Sequence, residues 1–227
     1  MDISNKKLIE EVEEAINEIE SLLPNDFDGK TLSKKSKLPY KLASIYYSYS
    51  YRFHAIANSA LQLFKFENYL SSAILIRSLM ETASVLFLVE ERIERNLNSF
   101  NCEETDKFLM KILVGGKLKS YEYFAYNCLK AIDKVDGKKY DQFREMYDQL
   151  SEFAHPNWAG SAGYFSKIES EGIKIFTLND GIKNPFFILF PFSISITVLI
   201  DSINSIKKLM PKFIKICESS CQRSAQR

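Results

Sequence analysis

The sequence predicts a mostly α-helical, multi-helix bundle with one small β-hairpin insertion near residues 163–178. Apolar residues recur at three- and four-residue steps through most of the chain, the spacing that gives a helix one apolar face. The 227 residues include only 8 glycines and 6 prolines, too few for a turn-dense β protein. A composition of 46% hydrophobic and 13% aromatic residues is sufficient for a sizeable core.

The helical pattern is interrupted by residues that commonly end helices. Pro24 and Pro156 each follow an amphipathic segment, and Gly115-Gly116 and Asp136-Gly137 separate shorter ones. The expected helices, in chain order, are residues 5–23, 40–66, 68–96, 104–114, 119–135, 138–155 and 185–218.

Residues 162–180 lack the helical spacing of apolar residues. Short β-prone runs stand on both sides of Glu169-Ser170-Glu171-Gly172, and this pattern predicts the hairpin. No internal repeat or low-complexity linker divides the chain, so we expect a single domain. Its expected parts are an N-terminal helix and basic loop (1–38), a bundle core (39–155), the hairpin (162–180) and a C-terminal helix (185–218).

Composition also limits the kinds of site. Lys and Arg number 30 against 29 Asp and Glu, so no global basic field attracts nucleic acid, although a local patch remains open. The four cysteines form no CxxC motif and there are two histidines, so we expect no metal. Phosphate-loop and dinucleotide-binding glycine motifs are absent from the sequence, and we expect no cofactor. No secretory signal pattern is visible, which favours a cytoplasmic protein.

One segment, residues 185–200, resembles a membrane span in its apolarity. It has about 16 residues where a spanning helix needs about 20. It contains Pro191, and Asp201 follows it. We therefore expect a buried core helix here and no membrane association.

The third predicted helix carries an unusual polar stripe. Between Ala73 and Val89, Arg77 and Glu81 are the only charged residues, and Ser84 lies within about 60° of both around the helix. Charges on an apolar helix are costly unless they are paired, and the i,i+4 spacing allows pairing. Either the pair fixes helix packing, or the stripe lines a functional site.

A second polar face lies on the helix before Pro156. Tyr147, Ser151 and His155 are spaced at i, i+4 and i+8 and share this face, and Arg144 flanks it. A histidine at a helix end serves either as a capping or packing residue or in proton transfer, because imidazole titrates near neutral pH.

The polar stretch 25–38 is rich in lysine. It contains Lys30, Lys34, Lys35 and Lys37. Such a run is either a solvated loop or an arm that contacts the phosphates of RNA.

Two segments together resemble a known group of proteins. SSAILIRSLMETASVLFLV, followed by YDQLSEFAHPNWAG, is similar to bacterial helical proteins with an R-x-x-x-E helix and a later Y-x-x-L-S-x-x-x-H-P segment. That group resembles the HEPN-like helical bundles, and the likeness covers about a third of the chain. It implies a metal-independent ribonuclease of a toxin–antitoxin or phage-defence system. The residues implied are Arg77, Glu81 and His155 as catalytic, with Ser84, Tyr147, Ser151 and Arg144 in support.

The same resemblance implies the partners: RNA, a cognate antitoxin or defence-system protein, and a second copy of the chain. The aromatic segment Tyr46–Phe53 is a candidate dimer interface.

The chain departs from the family pattern in one respect. HEPN ribonucleases place Arg and His four to six residues apart, whereas Arg144 stands eleven positions before His155. Ribonuclease activity would thus require Arg77 to reach His155 from another helix. Two alternatives stay open: a non-catalytic binding or dimerisation module in which Arg77, Glu81 and His155 form a structural network, and a small-molecule sensor that uses the same stripe.

Overall fold

The computed structural model of the chain describes residues 3–178, 182 and 184–224, with the backbone alone for residues 3, 4 and 221–224. In these ranges it contains nine helices and one two-stranded antiparallel sheet, which confirms the predicted mostly-α bundle with a small hairpin. The elements are α1 (Ile3–Ser21), α2 (Gly29–Leu32), α3 (Leu38–Lys65), α4 (Tyr69–Asn96), α5 (Cys102–Val114), α6 (Cys128–Asp136), α7 (Phe143–Ala154), α8 (Ala162–Phe165), β1 (Ser166–Ser170), β2 (Ile173–Phe176) and α9 (Phe186–Ser224).

Helix α4 is the central element of the bundle. It packs against α3, α6, α7 and α9, and its apolar side chains are buried on several sides. This is the position expected of a helix that is apolar nearly all round. Asn68 caps its N-terminus by accepting a hydrogen bond from the Ser71 amide. Nearby, the buried Ser72 hydroxyl donates to the Ala60 carbonyl at 2.9 Å and ties α4 to α3.

Two predicted helices begin later than expected. Residues 119–127 are not helical: an isolated bridge joins Gly116 to Phe124, and α6 begins only at Cys128. The cap explains this start, because the Asn127 side chain accepts the Leu129 amide at 3.0 Å. Helix α7 begins at Phe143 rather than at residue 138, since Gln142 has a left-handed backbone with φ 66°.

The aromatic segment Tyr46–Phe53 of α3, the predicted dimer interface, is partly buried within the bundle. Tyr46, Ser50 and Phe53 are buried inside the chain's own core. Ser48, Tyr51 and Arg52 are exposed, so part of the predicted dimer interface stays accessible to a second copy of the chain.

The short helix α8 attaches the hairpin to the bundle. The buried Tyr164 of α8 accepts a hydrogen bond from the Leu70 amide at 3.2 Å. Strands β1 and β2 then pair antiparallel, with Ile168 opposite Lys174 and a bulge before Ser170. Gly172, at φ 77°, provides the left-handed turn residue. Residues 179 and 180 of the predicted hairpin lie outside the described residues.

Two helices satisfy the length and composition of a membrane span. They are Tyr69–Asn96 and Phe186–Ser220, with mean hydropathy of 1.7 and 2.1 in their most apolar windows. Helix α9 runs through Pro191, so the apolar 16-residue segment is the first part of a longer helix, as the predicted helix 185–218 requires. Of the two windows, 72% and 56% is buried inside the bundle. Core helices pass the same test, so these two helices indicate membrane insertion only weakly.

Candidate functional site

Arg77 joins α4 to α7 through side-chain hydrogen bonds. Its Nε donates to Ser151 Oγ at 2.8 Å, and its Nη2 donates to Tyr147 Oη at 2.7 Å. Nη2 also lies 3.4 Å from Glu81 Oε1 on the same helix. The guanidinium carbon stands 5.0 Å from the centre of the Tyr147 ring, a cation–π distance. The structure therefore brings together four of the residues selected from the sequence.

Tyr147 is the centre of this network. Its hydroxyl accepts from Arg77 and donates to Glu81 Oε1 at 2.7 Å, while the residue is only 2% exposed. Burial, and then the hydrogen bond to Glu81, raises the pKa of Tyr147 to about 12. The phenol therefore stays protonated at neutral pH and acts as a fixed donor to Glu81.

One side of the Arg77 guanidinium is left for an external group. Nε and Nη2 are engaged within the chain, but among the described residues nothing accepts a hydrogen bond from Nη1. The side chains of Arg77 and Glu81 are each 27% exposed, so solvent reaches the pair. A guanidinium that is held on one edge and open on the other suits an anion such as phosphate. The pair is half-buried, where the sequence suggested a buried stripe.

His155 stands next to this network without joining it. It is the C-terminal cap of α7, and its backbone amide donates to the Ser151 carbonyl at 3.1 Å. Its imidazole is exposed and has no hydrogen bond or ion pair within the described part of the chain. Ser151 lies one turn earlier on α7, which corresponds to roughly 6 Å along the helix. His155 is thus a neighbour of Ser151, which binds Arg77, but the side chains of Arg77 and His155 make no hydrogen bond with each other.

Two supporting residues lie outside the network. Ser84 is fully buried, and its hydroxyl donates to the Met80 carbonyl of its own helix at 2.7 Å, so the polar stripe ends at Glu81. A mid-helix serine commonly satisfies its hydroxyl in this way. Arg144 is engaged at the surface instead, where it pairs with Asp133 at 2.5 Å and Asp148 at 3.0 Å.

The lysines of the N-terminal loop are exposed but distant. Lys30, Lys34, Lys35 and Lys37 all face solvent before α3. Ser72 of α4 bonds to Ala60 of α3, and the two helices run in opposite directions. Arg77, five residues after Ser72, is therefore level with about residue 55, five residues before Ala60. Lys37 precedes that position by 18 residues, or roughly 27 Å at 1.5 Å per residue. Lys37 and Arg77 are therefore too far apart to contact the same phosphate.

Sequence reasoning missed Cys128, the first residue of α6. Burial, and then the negative charge of Glu81, raises the pKa of its thiol, while the charges of Lys117 and Arg77 act in the opposite direction. The thiol is thus an electrostatic neighbour of the Arg77–Glu81 pair, and it stays protonated rather than nucleophilic. The sequence could have indicated that a helix begins at Asn127-Cys128, but it contains no information on how far Cys128 lies from α4.

Within the described residues, no group of three or more His, Cys, Asp or Glu side chains is placed to hold a metal ion. Comparison of the chain with protein-family models, with curated proteins and with solved structures found no match. The resemblance to HEPN-like bundles therefore stays a prediction from two sequence segments.

Proposed function

We propose that the surface formed by Arg77 and His155 binds a phosphodiester group of RNA and cleaves it without a metal ion, as an effector of the HEPN-like kind. The observation that carries the proposal is the Arg77 guanidinium, which is held by Tyr147 and Ser151 while no group of the described residues accepts a hydrogen bond from Nη1. An arginine held in this way is positioned to stabilise charge on a phosphate without reorganising during the reaction.

The proposed reaction is a transesterification. His155 accepts the proton of a ribose 2′-hydroxyl, whose oxygen attacks the adjacent phosphorus. The bond from phosphorus to the 5′-oxygen breaks, that oxygen takes a proton from water, and the hydroxide formed takes up the proton held by His155. The products are a 2′,3′-cyclic phosphate and a free 5′-hydroxyl. Arg77 stabilises the additional negative charge that develops on the phosphate oxygens.

Glu81 and Tyr147 act as positioning residues in this scheme. Glu81 lies 3.4 Å from Nη2 and accepts the Tyr147 hydroxyl, so the three side chains hold one orientation of the guanidinium. Tyr147 keeps its proton at neutral pH because its pKa is raised to about 12, so it cannot accept a proton from the substrate. His155 is therefore the residue of this group assigned to proton transfer.

In this proposal the exposed lysines of residues 30–37 attract the negatively charged RNA over a long range. Because Lys37 lies roughly 27 Å from the level of Arg77, the loop would contact a different part of an RNA strand. We expect binding to weaken as salt concentration rises, since phosphate contacts release counterions.

The chain supplies matched controls for the test. RNA cleavage is measured with EDTA present, and the ends are identified by mass spectrometry. His155→Ala and Arg77→Lys should each lower the cleavage rate at least about 100-fold. His54→Ala replaces the other histidine, and Arg52→Lys replaces an arginine that also uses Nε and Nη2 to bind hydroxyls of α4. These two controls should keep the native rate.

The ribonuclease proposal fails if His155→Ala cleaves at the native rate, or if all four variants lose activity together. Detection of 3′-phosphate or 3′-hydroxyl ends as primary products would also contradict the transesterification.

A second candidate is a non-catalytic helical module that binds a partner protein, such as a cognate antitoxin or another defence-system protein. The observation in its favour is that Arg77, Glu81 and Tyr147 all have partners within the chain and so clamp α4 to α7. In that case Arg77→Ala should lower stability by on the order of 3 kcal/mol, while His155→Ala should have no effect on any activity.

A further inference from the structure

The free edge of strand β1 is a surface with an unusual sequence symmetry. Its five residues are Ser166, Lys167, Ile168, Glu169 and Ser170. A serine stands at each end of this strand, and the two neighbours of the central Ile168 carry opposite charges, with a lysine before it and a glutamate after it. An antiparallel pairing of two such strands therefore places unlike charges opposite each other at both flanking positions.

The backbone of β1 leaves one edge open for such pairing. The Thr177 amide donates to the Phe165 carbonyl at 2.8 Å, so Phe165 turns its backbone groups toward the β2 side. Successive residues of an antiparallel strand turn these groups to opposite edges, so Lys167 also faces β2 while Ser166 and Ile168 face away. The sheet has two strands, so among the described residues no third strand pairs with this edge.

The hairpin exposes more apolar surface than its own packing covers. Ile168, Ile173 and Phe176 are 80%, 54% and 69% exposed. A two-stranded hairpin is only marginally stable in water, and an open edge is commonly covered by another strand. Glu169 also has no cross-strand partner on β2, because the bulge leaves it out of the register.

We infer that β1 pairs antiparallel with β1 of a second copy of this chain, forming a continuous four-stranded sheet across a two-fold axis. Ile168 lies opposite Ile168 of the partner subunit, and the two residues exchange a pair of backbone hydrogen bonds. Lys167 lies opposite Glu169 of the partner subunit, and Glu169 lies opposite the partner subunit's Lys167. Ser170 pairs with Ile173 of β2 and takes no part in this ladder.

Other pairings of the same hairpin are less favourable. A parallel, in-register pairing of two β1 strands would set Lys167 against Lys167 of the partner subunit, and like charges directly opposite destabilise a sheet. Strand β2 contains Lys174 and no acidic residue, so its self-pairing offers no charge complementarity. Charge complementarity thus selects one strand and one orientation.

The test is a charge exchange on the full-length chain. Sedimentation equilibrium over a range of chain concentrations gives the dissociation constant of the dimer. Lys167→Glu leaves two glutamates on each strand, and Glu169→Lys leaves two lysines, so each change should weaken the dimer by at least about tenfold. The double exchange of Lys167→Glu with Glu169→Lys reverses the order of charges and should restore the native constant to within about threefold.

A mixture of the two single variants provides a second measurement. The Lys167→Glu chain and the Glu169→Lys chain are complementary to each other, so together they should form a heterodimer with near-native affinity. A zero-length carbodiimide should cross-link Lys167 to Glu169 of the partner subunit in the native dimer, which mass spectrometry identifies.

Three outcomes would overturn the inference. The native chain could remain monomeric at every concentration. The dimer could be indifferent to both single substitutions, which would locate its interface elsewhere. The double exchange could fail to restore association while circular dichroism shows a native helical content.

Discussion

Glu91 offers the clearest link between one contact and a measurable property. It lies on α4, its side chain is 9% exposed, and it accepts hydrogen bonds from Lys134 at 2.6 Å and from Lys138. Burial by itself opposes ionisation of this carboxyl, but the hydrogen bonds and charges of Lys134 and Lys138 outweigh it. The pKa of Glu91 is lowered from 4.5 to about 2 as a result.

The direction of this change determines how stability varies with pH. The carboxyl binds a proton less readily in the folded chain than in the unfolded one, so its contribution is fully present above about pH 4.5. The contribution is lost as pH falls toward 2. At about 1.4 kcal/mol per pH unit, the lowering of the pKa from 4.5 to about 2 corresponds to roughly 3–4 kcal/mol. Lys138 is 55% exposed and therefore screened by solvent, which reduces our expectation to about 2 kcal/mol.

The assay is urea denaturation of the native chain and of Glu91→Gln between pH 7 and pH 2. Glutamine keeps the size and does not titrate, so the difference in unfolding free energy isolates the Glu91 charge. We expect Glu91→Gln to be about 2 kcal/mol less stable at pH 7, with the gap closing below pH 4.5. Glu103→Gln is the control, because Glu103 pairs with Lys107 on an exposed helix surface and should change stability little. A gap that stays constant with pH would refute the reasoning.

Two further substitutions test the site and its neighbourhood. Tyr147→Phe removes the hydroxyl shared by Arg77 and Glu81, and urea denaturation should show a loss of about 1–3 kcal/mol; an unchanged midpoint would contradict the clamp between α4 and α7. Gly160→Ala would place a Cβ 2.3 Å from the His155 carbonyl oxygen. The melting temperature should fall, by the equivalent of about 1–3 kcal/mol, while Gly137→Ala, where a Cβ meets its nearest atom at 3.5 Å, should be tolerated.

The candidate site could be selected from sequence only in part. Arg77 and Glu81 were recognisable because they are the charged residues of an otherwise apolar helix segment. Tyr147 and Ser151 were recognisable because they share one face of the helix that precedes Pro156. That Arg77 bonds to residues 70 and 74 positions away depends on how α4 and α7 pack. Ser84 and Arg144 lie outside the Arg77 network, because the Ser84 hydroxyl donates to a carbonyl of its own helix and Arg144 pairs with surface aspartates.

By itself the sequence determined the helical class, the long α3 and α4, and the position of the hairpin. Each of these depends on local features: the 3.6-residue apolar period, the Pro and Gly breaks, and the β-prone runs around Gly172. The tertiary structure alone decided that Cys128 lies within electrostatic reach of Glu81, and that His155 stands beside the Arg77 network without contacting it. The reason is physical: periodicity is set by neighbours in the chain, whereas distances between helices are set by the packing of a shared core.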